Sequence, residues 1–213
     1  LNDDIYEIIL SDTPFYGESG GQVGDKGVIE NEELNLDVFD TKLSESQIIH
    51  KCKLNSGEIS LNQIVNLKID NQRRLKIKAN HTATHLLHES LKRVLGDHVQ
   101  QSGSLVNEHK LRFDLTHYEK ITKSQIQEIE NIVNEKIRSN IQLNTKIQSF
   151  DDAKRDGAVA LFGEKYTDKV RVIDVPGFSK ELCGGTHVDR TGDIGMFKII
   201  SESSLSTGIG SAN

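Results

Sequence analysis

Two pairs of side chains have the spacing and the chemistry of metal ligands. His81 and His85 lie four residues apart, and Cys183 and His187 are also four apart, with two glycines between them. On a helix, positions i and i+4 share a face, so both imidazoles can reach one ion. The two glycines allow the second pair a tight turn. Because three imidazoles and one thiolate suit tetrahedral Zn²⁺, we predict a zinc site.

The spacing excludes two kinds of zinc site and leaves the role of the ion open. His85 and Cys183 are 98 positions apart (183 − 85), whereas zinc-finger ligands are local. A zincin protease needs Glu directly after the first His, and Thr82 stands there instead. Four protein ligands would make the ion structural or positional, whereas one loose ligand would admit water or substrate. His88, seven residues after His81, could compete as a ligand.

Two further segments carry residues suited to ligand contact. Residues 99–105 include Gln101, Ser102 and Ser104, whose amide and hydroxyl groups can hydrogen-bond a small polar ligand, although such segments are also common in loops. Residues 15–27 contain five glycines. These glycines fit either close backbone approach to a ligand or tight hairpin turns.

The charge is distributed unevenly along the chain. The net charge of −6 argues against a general nucleic-acid coat protein. Residues 1–70 hold 5 basic and 14 acidic side chains, whereas residues 71–213 hold 21 basic and 18 acidic ones. The second part opens with a basic run of Arg73, Arg74, Lys76 and Lys78. This run predicts either a contact with a phosphate backbone or an ordinary solvated strand or helix start.

The elements that must position these groups form two parts. Residues 1–72 show short alternating strands with Gly- and Asn-containing turns, which indicate a small barrel or sandwich, and we predict a β-barrel. Residues 73–209 mix helices and strands without strict alternation, so we predict an α+β zinc-binding core of helices and antiparallel sheet. Helices are predicted at 79–95, 122–140 and 151–156, and strands at 111–115, 141–148, 170–175 and 196–201.

Several features of the chain indicate its setting. Its two distant cysteines do not make a disulfide framework, which favours a reducing compartment and a cytoplasmic location. No apolar run approaches the roughly 20 residues of a membrane-spanning helix, so we expect no membrane partner. Because the chain starts at Leu1, we expect it to be a piece of a longer protein, and residues 210–213 suggest a cloning remnant or frayed tail.

Together these motifs resemble one family. Residues 81–88, HTATHLLH, and residues 183–188, CGGTHV, resemble the two zinc motifs of the alanyl-tRNA synthetase editing domain. Residues 13–27 are similar to its glycine-rich motif, and residues 158–166 and 192–195 also fit. The free-standing AlaX proteins share the zinc motifs, and threonyl-tRNA synthetase carries a related editing fold. The resemblance covers nearly the whole chain.

The resemblance implies an excised domain that hydrolyses Ser-tRNA(Ala) and, as a second substrate, Gly-tRNA(Ala). Its implied partners are the tRNA(Ala) acceptor end and the remainder of the synthetase, and its cofactor is Zn²⁺. An aminoacylation pocket shaped for alanine cannot strongly reject an analogue that only adds a hydroxyl, so a second sieve is needed. A non-catalytic module that binds the acceptor end with a structural zinc is the alternative, and a deacylation assay separates the two.

The resemblance also implies roles for particular residues. By motif position the zinc ligands are His81, His85, Cys183 and His187. Gln101 matches a family residue involved in editing, and we expect it to act as the catalytic group that binds or orients substrate.

Other residues are expected to surround the substrate. Ser102 and Ser104 would contact a serine hydroxyl, and Gln22, with Gly20 and Gly21, would approach the substrate or acceptor end. The basic run from Arg73 to Lys78 would contact tRNA. After residue 209 the family usually continues with basic residues, and Gly210 and Ser211 follow here.

Overall fold

Twelve strands, three α-helices and one short 3-10 helix (Thr191–Ile194) lie in the part of the chain that the computed structural model describes, which is residues 5–160, 166–206 and 209–212. The helices are α1 (Asn71–Leu95), α2 (Lys123–Arg138) and α3 (Phe150–Arg155). The strands are β1 (Ile5–Ile9), β2 (Gly27–Glu30), β3 (Asn35–Ser44), β4 (Gln47–Ser56), β5 (Asn66–Ile69), β6 (Gln101–Val106), β7 (Leu111–Thr116), β8 (Asn144–Ser149), β9 (Lys169–Val175), β10 (Ser179–Leu182), β11 (Glu202–Ser206) and β12 (Ile209–Ala212). The chain divides into two units, Leu1–Lys76 and Ile77–Asn213.

The first unit is built on one antiparallel sheet of five strands in the order β1-β4-β3-β2-β5. In β3, Leu36 and Val38 are buried while Asp37 and Phe39 are exposed, which is the period-two pattern of a sheet with one face on a core. The core consists of Phe15, Ile29, Leu34, Leu36, Val38 and Cys52. Alternating apolar residues therefore form this unit, as the sequence predicts.

The predicted closed barrel is not found in this sheet. A barrel closes only when its first and last strands pair, and here β1 pairs only with β4 while β5 pairs only with β2. Residues 59–65 lie between these two edges and help to line a cavity of about 600 Å³. The two edge strands, five and four residues long, do not pair with each other, so the sheet is open.

The glycine-rich segment makes a tight hairpin in the first unit. Ser19 and Gln22 exchange both backbone hydrogen bonds, at 3.2 and 3.0 Å, across Gly20 and Gly21. These glycines have φ of +54° and +79°, and two positive φ values at a two-residue turn match a type I′ hairpin. A Cβ on Gly24 would lie 1.9 Å from a backbone oxygen of Thr41. Local geometry therefore accounts for these glycines without a ligand.

The second unit combines helices with two further antiparallel sheets, in the orders β10-β9-β8 and β11-β12-β7-β6. This agrees with the predicted α+β class. Helix α1 ends at Leu95, where Gly96 has φ +111° and forms the predicted C-terminal cap, but it begins eight residues before the predicted start at 79. The predicted capping box of α2 is present between Thr122 and Gln125.

Two predictions near the C-terminus differ from the structure. Residues 196–201 form no strand. Their backbone pairs instead with side chains of α2: Phe197 exchanges hydrogen bonds of 2.8 and 2.9 Å with Asn134, and Ile199 N–H donates to Glu130 at 2.8 Å. Residues 209–212 form β12, which pairs with β7 and β11, where the sequence suggested a tail from 210.

No helix among the described residues is long and apolar enough to cross a bilayer.

Candidate metal centre and adjoining cleft

The structure brings the four predicted metal ligands into one buried cluster. Their ligand atoms all lie within 4.8 Å of one another. The Nε2 atoms of His81 and His187 lie 3.4 and 3.3 Å from the Sγ of Cys183. Ligand-to-ligand edges of about 3.3–3.8 Å follow from the bond lengths of tetrahedral zinc. His85 completes the set, and each of the four side chains is buried.

A helix and a short loop position these ligands. One turn of α1 stacks the His81 and His85 rings with centroids 5.3 Å apart. The other two ligands lie in the loop after β10, where the Arg171 guanidinium donates to the carbonyls of Cys183 and Gly185 at 3.2 and 2.5 Å. The Gly185 N–H donates to the Cys183 sulfur at 3.4 Å. The loop is therefore held from β9 before any ion binds.

Glu181 fixes the proton on His85. Its carboxylate can only accept, so His85 Nδ1–H donates to Oε2 at 2.5 Å, and the Nε2 lone pair is left for a metal. That Nε2 is buried and has no hydrogen-bond partner among the described residues. An unsatisfied buried polar atom costs about 1–3 kcal/mol. A bound ion would satisfy it, so the donor set fits Zn²⁺.

Thr82 fixes the proton on His187 in the same way. Its hydroxyl donates to the carbonyl of Lys78 at 2.9 Å, which leaves the oxygen to accept. It accepts from His187 Nδ1–H and from the Val188 N–H, both at 3.2 Å. His187 is then left with its Nε2 lone pair toward Cys183. Thr82, which stands where a zincin protease has its general base, therefore orients a predicted metal ligand.

Electrostatics favour the protonation states that metal binding needs at Cys183 and His187, but not at His85. Burial raises the pKa of the Cys183 thiol, but the three neighbouring imidazoles lower it well below its usual value, which favours the thiolate. Burial and then His81 lower the pKa of His187 to about 3, so it is neutral. Burial alone lowers the pKa of His85, but Glu181 and the Cys183 thiolate raise it to about 10. An ion must therefore displace a proton from His85 on binding.

We expect Thr82→Val to weaken zinc binding by about 10- to 100-fold, the usual effect of losing a partner that orients a ligand. Valine keeps the shape of threonine but cannot accept from His187 Nδ1–H. Competition against a chelator of known affinity measures the change. Thr84→Val is the matched control, because Thr84 is buried on the same helix and, among the described residues, its hydroxyl bonds only the carbonyl of Asn80. Equal zinc affinity in the two variants would contradict this role.

A cleft of about 230 Å³, lined by both polar and apolar residues, lies in the same unit. Gln101 lines it at the start of β6, which is a strand rather than a loop. The Gln101 amide donates to Ser104 Oγ at 3.2 Å, while Ser102 is exposed. The full lining is His88, Lys92, Asp97, Val99, Gln100, Gln101, Val159 and Ala160. Ser104 thus contacts the predicted catalytic glutamine, and the resembling segment 158–166 reaches the cleft, although its residues 161–165 lie outside the described part.

The remaining predicted site residues lie in other surroundings. Gln22 is fully buried in the first unit, beside the turn made by Gly20 and Gly21. The basic run occupies the first turns of α1, where Arg73 donates to the carbonyl of Gly24 at 2.8 Å.

Arg74 is also used within the first unit. It pairs with the buried carboxylate of Asp25 and donates to the carbonyl of Pro14 at 2.8 Å. Lys76 is exposed and Lys78 is half-buried.

Sequence reasoning missed Glu181, and it considered Thr82 only as a residue that excludes a protease. Neither position carries a local signal, because Glu181 bonds a histidine 96 positions away and Thr82 one 105 positions away. His88 does not join the metal cluster of the described residues. Its Nδ1 lies 3.0 Å from Glu181 Oε1. One carboxylate therefore connects the metal cluster to a residue of the cleft.

Comparisons with known proteins agree with the resemblance. Residues 2–73 match the family model described as tRNA synthetases class II (A). Residues 170–209 match the model of the threonyl and alanyl tRNA synthetase second additional domain.

Similar curated proteins are alanine–tRNA ligases. The chain is 52% identical over 202 residues to the one from Legionella pneumophila (strain Corby) and to the one from Pseudoalteromonas translucida (strain TAC 125). Each match covers 95% of this chain. The chain spans only 24% and 23% of the length of these two relatives.

Proposed function

The chain belongs to the alanyl-tRNA synthetase family as its editing domain, and on that premise we propose that it hydrolyses mischarged tRNA(Ala). Its substrate is Ser-tRNA(Ala), with Gly-tRNA(Ala) as a second ester. A synthetic pocket that accepts alanine discriminates only weakly against an isostere with one added hydroxyl, so release of serine needs a separate site. A cytoplasmic location and contact with the rest of a synthetase are parts of the same proposal.

One observation carries this proposal. The buried His₃Cys cluster is connected through Glu181 to His88, which lines the cleft that contains Gln101. A metal held by His81, His85, Cys183 and His187 can supply charge that polarises an ester or acidifies water. Because four protein ligands fill a tetrahedral shell, we propose that the ion mainly positions and stabilises the site.

The residues of the cleft would bind and orient the aminoacyl group. The Gln101 side chain is half-buried and offers both a donor and an acceptor. Its bond to Ser104 fixes its orientation, so we propose that it orients the ester for attack by water, with Ser102 at the exposed side. Lys76 and Lys78 are the members of the basic run that we propose for tRNA phosphate contact.

A non-catalytic module that holds the tRNA acceptor end is the second candidate. The closed set of four ligands favours it, because structural zinc sites are closed whereas catalytic ones keep an open position. Such a module would bind Ser-tRNA(Ala) and Ala-tRNA(Ala) alike and release neither amino acid.

Deacylation of the two esters separates the candidates. We expect the protein to release serine from Ser-tRNA(Ala) much faster than alanine from Ala-tRNA(Ala), and to lose that activity when a chelator removes its zinc. Rates no faster than the uncatalysed ones, in protein that holds one equivalent of zinc, would support the binding module. Re-addition of zinc after chelation is the control, since it distinguishes loss of the ion from irreversible unfolding.

A further inference from the structure

His88 is a buried polar side chain of the cleft with no role in metal binding. It lies on α1 and is 5% exposed. Its ring packs on Phe113 with centroids 5.3 Å apart, and it lines the cleft together with Gln101. A histidine that only filled space here could be replaced by an apolar residue, so its polar atoms need an explanation.

Glu181 determines which nitrogen of His88 carries the proton. The carboxylate accepts from His85 Nδ1 at Oε2 and from His88 Nδ1 at Oε1, so both of its oxygens are occupied by imidazole donors. With its hydrogen on Nδ1, a neutral imidazole presents Nε2 as an acceptor. Among the described residues His88 has no second hydrogen bond. The cleft therefore contains a fixed acceptor with nothing bonded to it.

The cleft suits a small donor group. Its volume of about 230 Å³ is below the roughly 300–1,000 Å³ of sites for drug-sized ligands. Lys92 and Asp97 also line it, and the Asp97 carboxylate is the better partner for a substrate ammonium. Within the seryl group itself, the side-chain hydroxyl is the remaining donor, and it is the group that alanyl and glycyl esters lack, whereas the ribose hydroxyl beside the ester is common to all three.

We propose that His88 Nε2 accepts a hydrogen bond from the seryl hydroxyl, and that Glu181 is the positioning residue that fixes this tautomer. This inference rests on the proposed function and names the residue that recognises its substrate. A site built to bond a hydroxyl strongly rejects analogues without one, because its own polar atom is then left without that partner inside the closed complex. Selection of serine over alanine thus originates at His88.

His88→Phe tests the proposal, because phenylalanine keeps a ring against Phe113 but offers no acceptor. With zinc-loaded protein, kcat/KM is measured for Ser-, Gly- and Ala-tRNA(Ala). We expect a loss of about 10- to 100-fold for the seryl ester, and less than about threefold for the two esters without a hydroxyl. His88→Gln is the conservative variant, since its amide can donate to Glu181 and accept from a hydroxyl. It should recover most of the preference for serine.

A binding measurement makes the test independent of turnover. Non-hydrolysable 3′-amide analogues of seryl- and alanyl-adenosine are titrated into both variants and the unsubstituted protein. The ratio of the two Kd values should approach one in His88→Phe and stay near the original in His88→Gln. If His88→Phe does not hold zinc or does not fold, the test rests on His88→Gln. Loss of the preference for serine in zinc-loaded His88→Gln would then contradict the proposal.

Defined outcomes overturn the inference. Equal losses on all three esters would show that His88 acts on a shared group such as the ammonium, and an unchanged preference for serine in His88→Phe would show that it does not contact the hydroxyl. Both leave the proposed function intact. If the unsubstituted protein releases serine from Ser-tRNA(Ala) no faster than the uncatalysed rate, the proposed function fails, and this inference fails with it.

Discussion

Cys183→Ala is expected to abolish zinc binding and Ser-tRNA(Ala) deacylation together, each by more than about 100-fold. Loss of a residue that merely orients a ligand weakens metal binding by about 10- to 100-fold, and Cys183 would itself be a ligand, since its sulfur lies within 3.4 Å of two imidazoles. The neighbouring histidines lower the pKa of the Cys183 thiol against the effect of burial. Cys183 is therefore the anionic side chain among the four predicted ligands. Without the thiolate, the set would keep three imidazoles but lose its one anionic ligand.

Cys52→Ala is the matched control. Cys52 is the other buried cysteine and lies in the first unit. Burial raises the pKa of its thiol to about 12, so the thiol stays protonated. Zinc content by elemental analysis and deacylation rates are measured on both variants. Cys52→Ala should keep one equivalent of zinc and its activity. An unchanged rate in a zinc-free Cys183→Ala protein would show that the ion is dispensable.

Arg74→Ala is expected to destabilise the first unit by about 3–5 kcal/mol. The sequence alone instead predicts that Arg74 contacts tRNA. Removing one partner of a buried ion pair leaves the other charge uncompensated. Asp25 is only 1% exposed, and its carboxylate accepts from Arg74 Nε at 3.1 Å and from the Tyr16 N–H at 2.6 Å. Hydrogen exchange of the β2 and β5 amides measures the loss within this unit.

Lys76→Ala, two positions along the same helix, is the control for that change. Lys76 is exposed, so its loss should alter stability by no more than about 0.5 kcal/mol. If it contacts phosphate, the slope of log K against log salt for tRNA should fall by about one. Full exchange protection in Arg74→Ala would contradict the structural role of the ion pair.

The sequence predicts the His/Cys cluster because the information for each pair is local. His81 and His85 share a helix face through their spacing, and Cys183 and His187 are joined by two glycines that permit a tight loop. The residues that orient them could not be predicted. Glu181 bonds His85 across 96 positions, and Thr82 bonds His187 across 105 positions. No rule of sequence spacing connects residues so far apart.

The same distinction holds for the fold. The capping box at Thr122 and the glycine cap at Gly96 are local signals, and both helix ends were predicted correctly. The apolar residues at 196–201 gave a strand pattern, yet Asn134 and Glu130 supply the backbone partners that a neighbouring strand would have supplied. Likewise, the pairing of Arg74 with Asp25 spans 49 positions and is not visible from a basic run alone.

The distance along the chain between the two ligand pairs has a consequence for biosynthesis. A shared ion would act as a reversible cross-link that closes a loop of 98 positions between His85 and Cys183. For a disulfide, closing a loop of about 100 residues removes about 4.7 kcal/mol of unfolded-chain entropy in the simple entropic model, and metal clips follow the same logic. A nascent chain cannot complete this cross-link until the ribosome has translated His187. Metal loading is thus a late event in the maturation of the second unit.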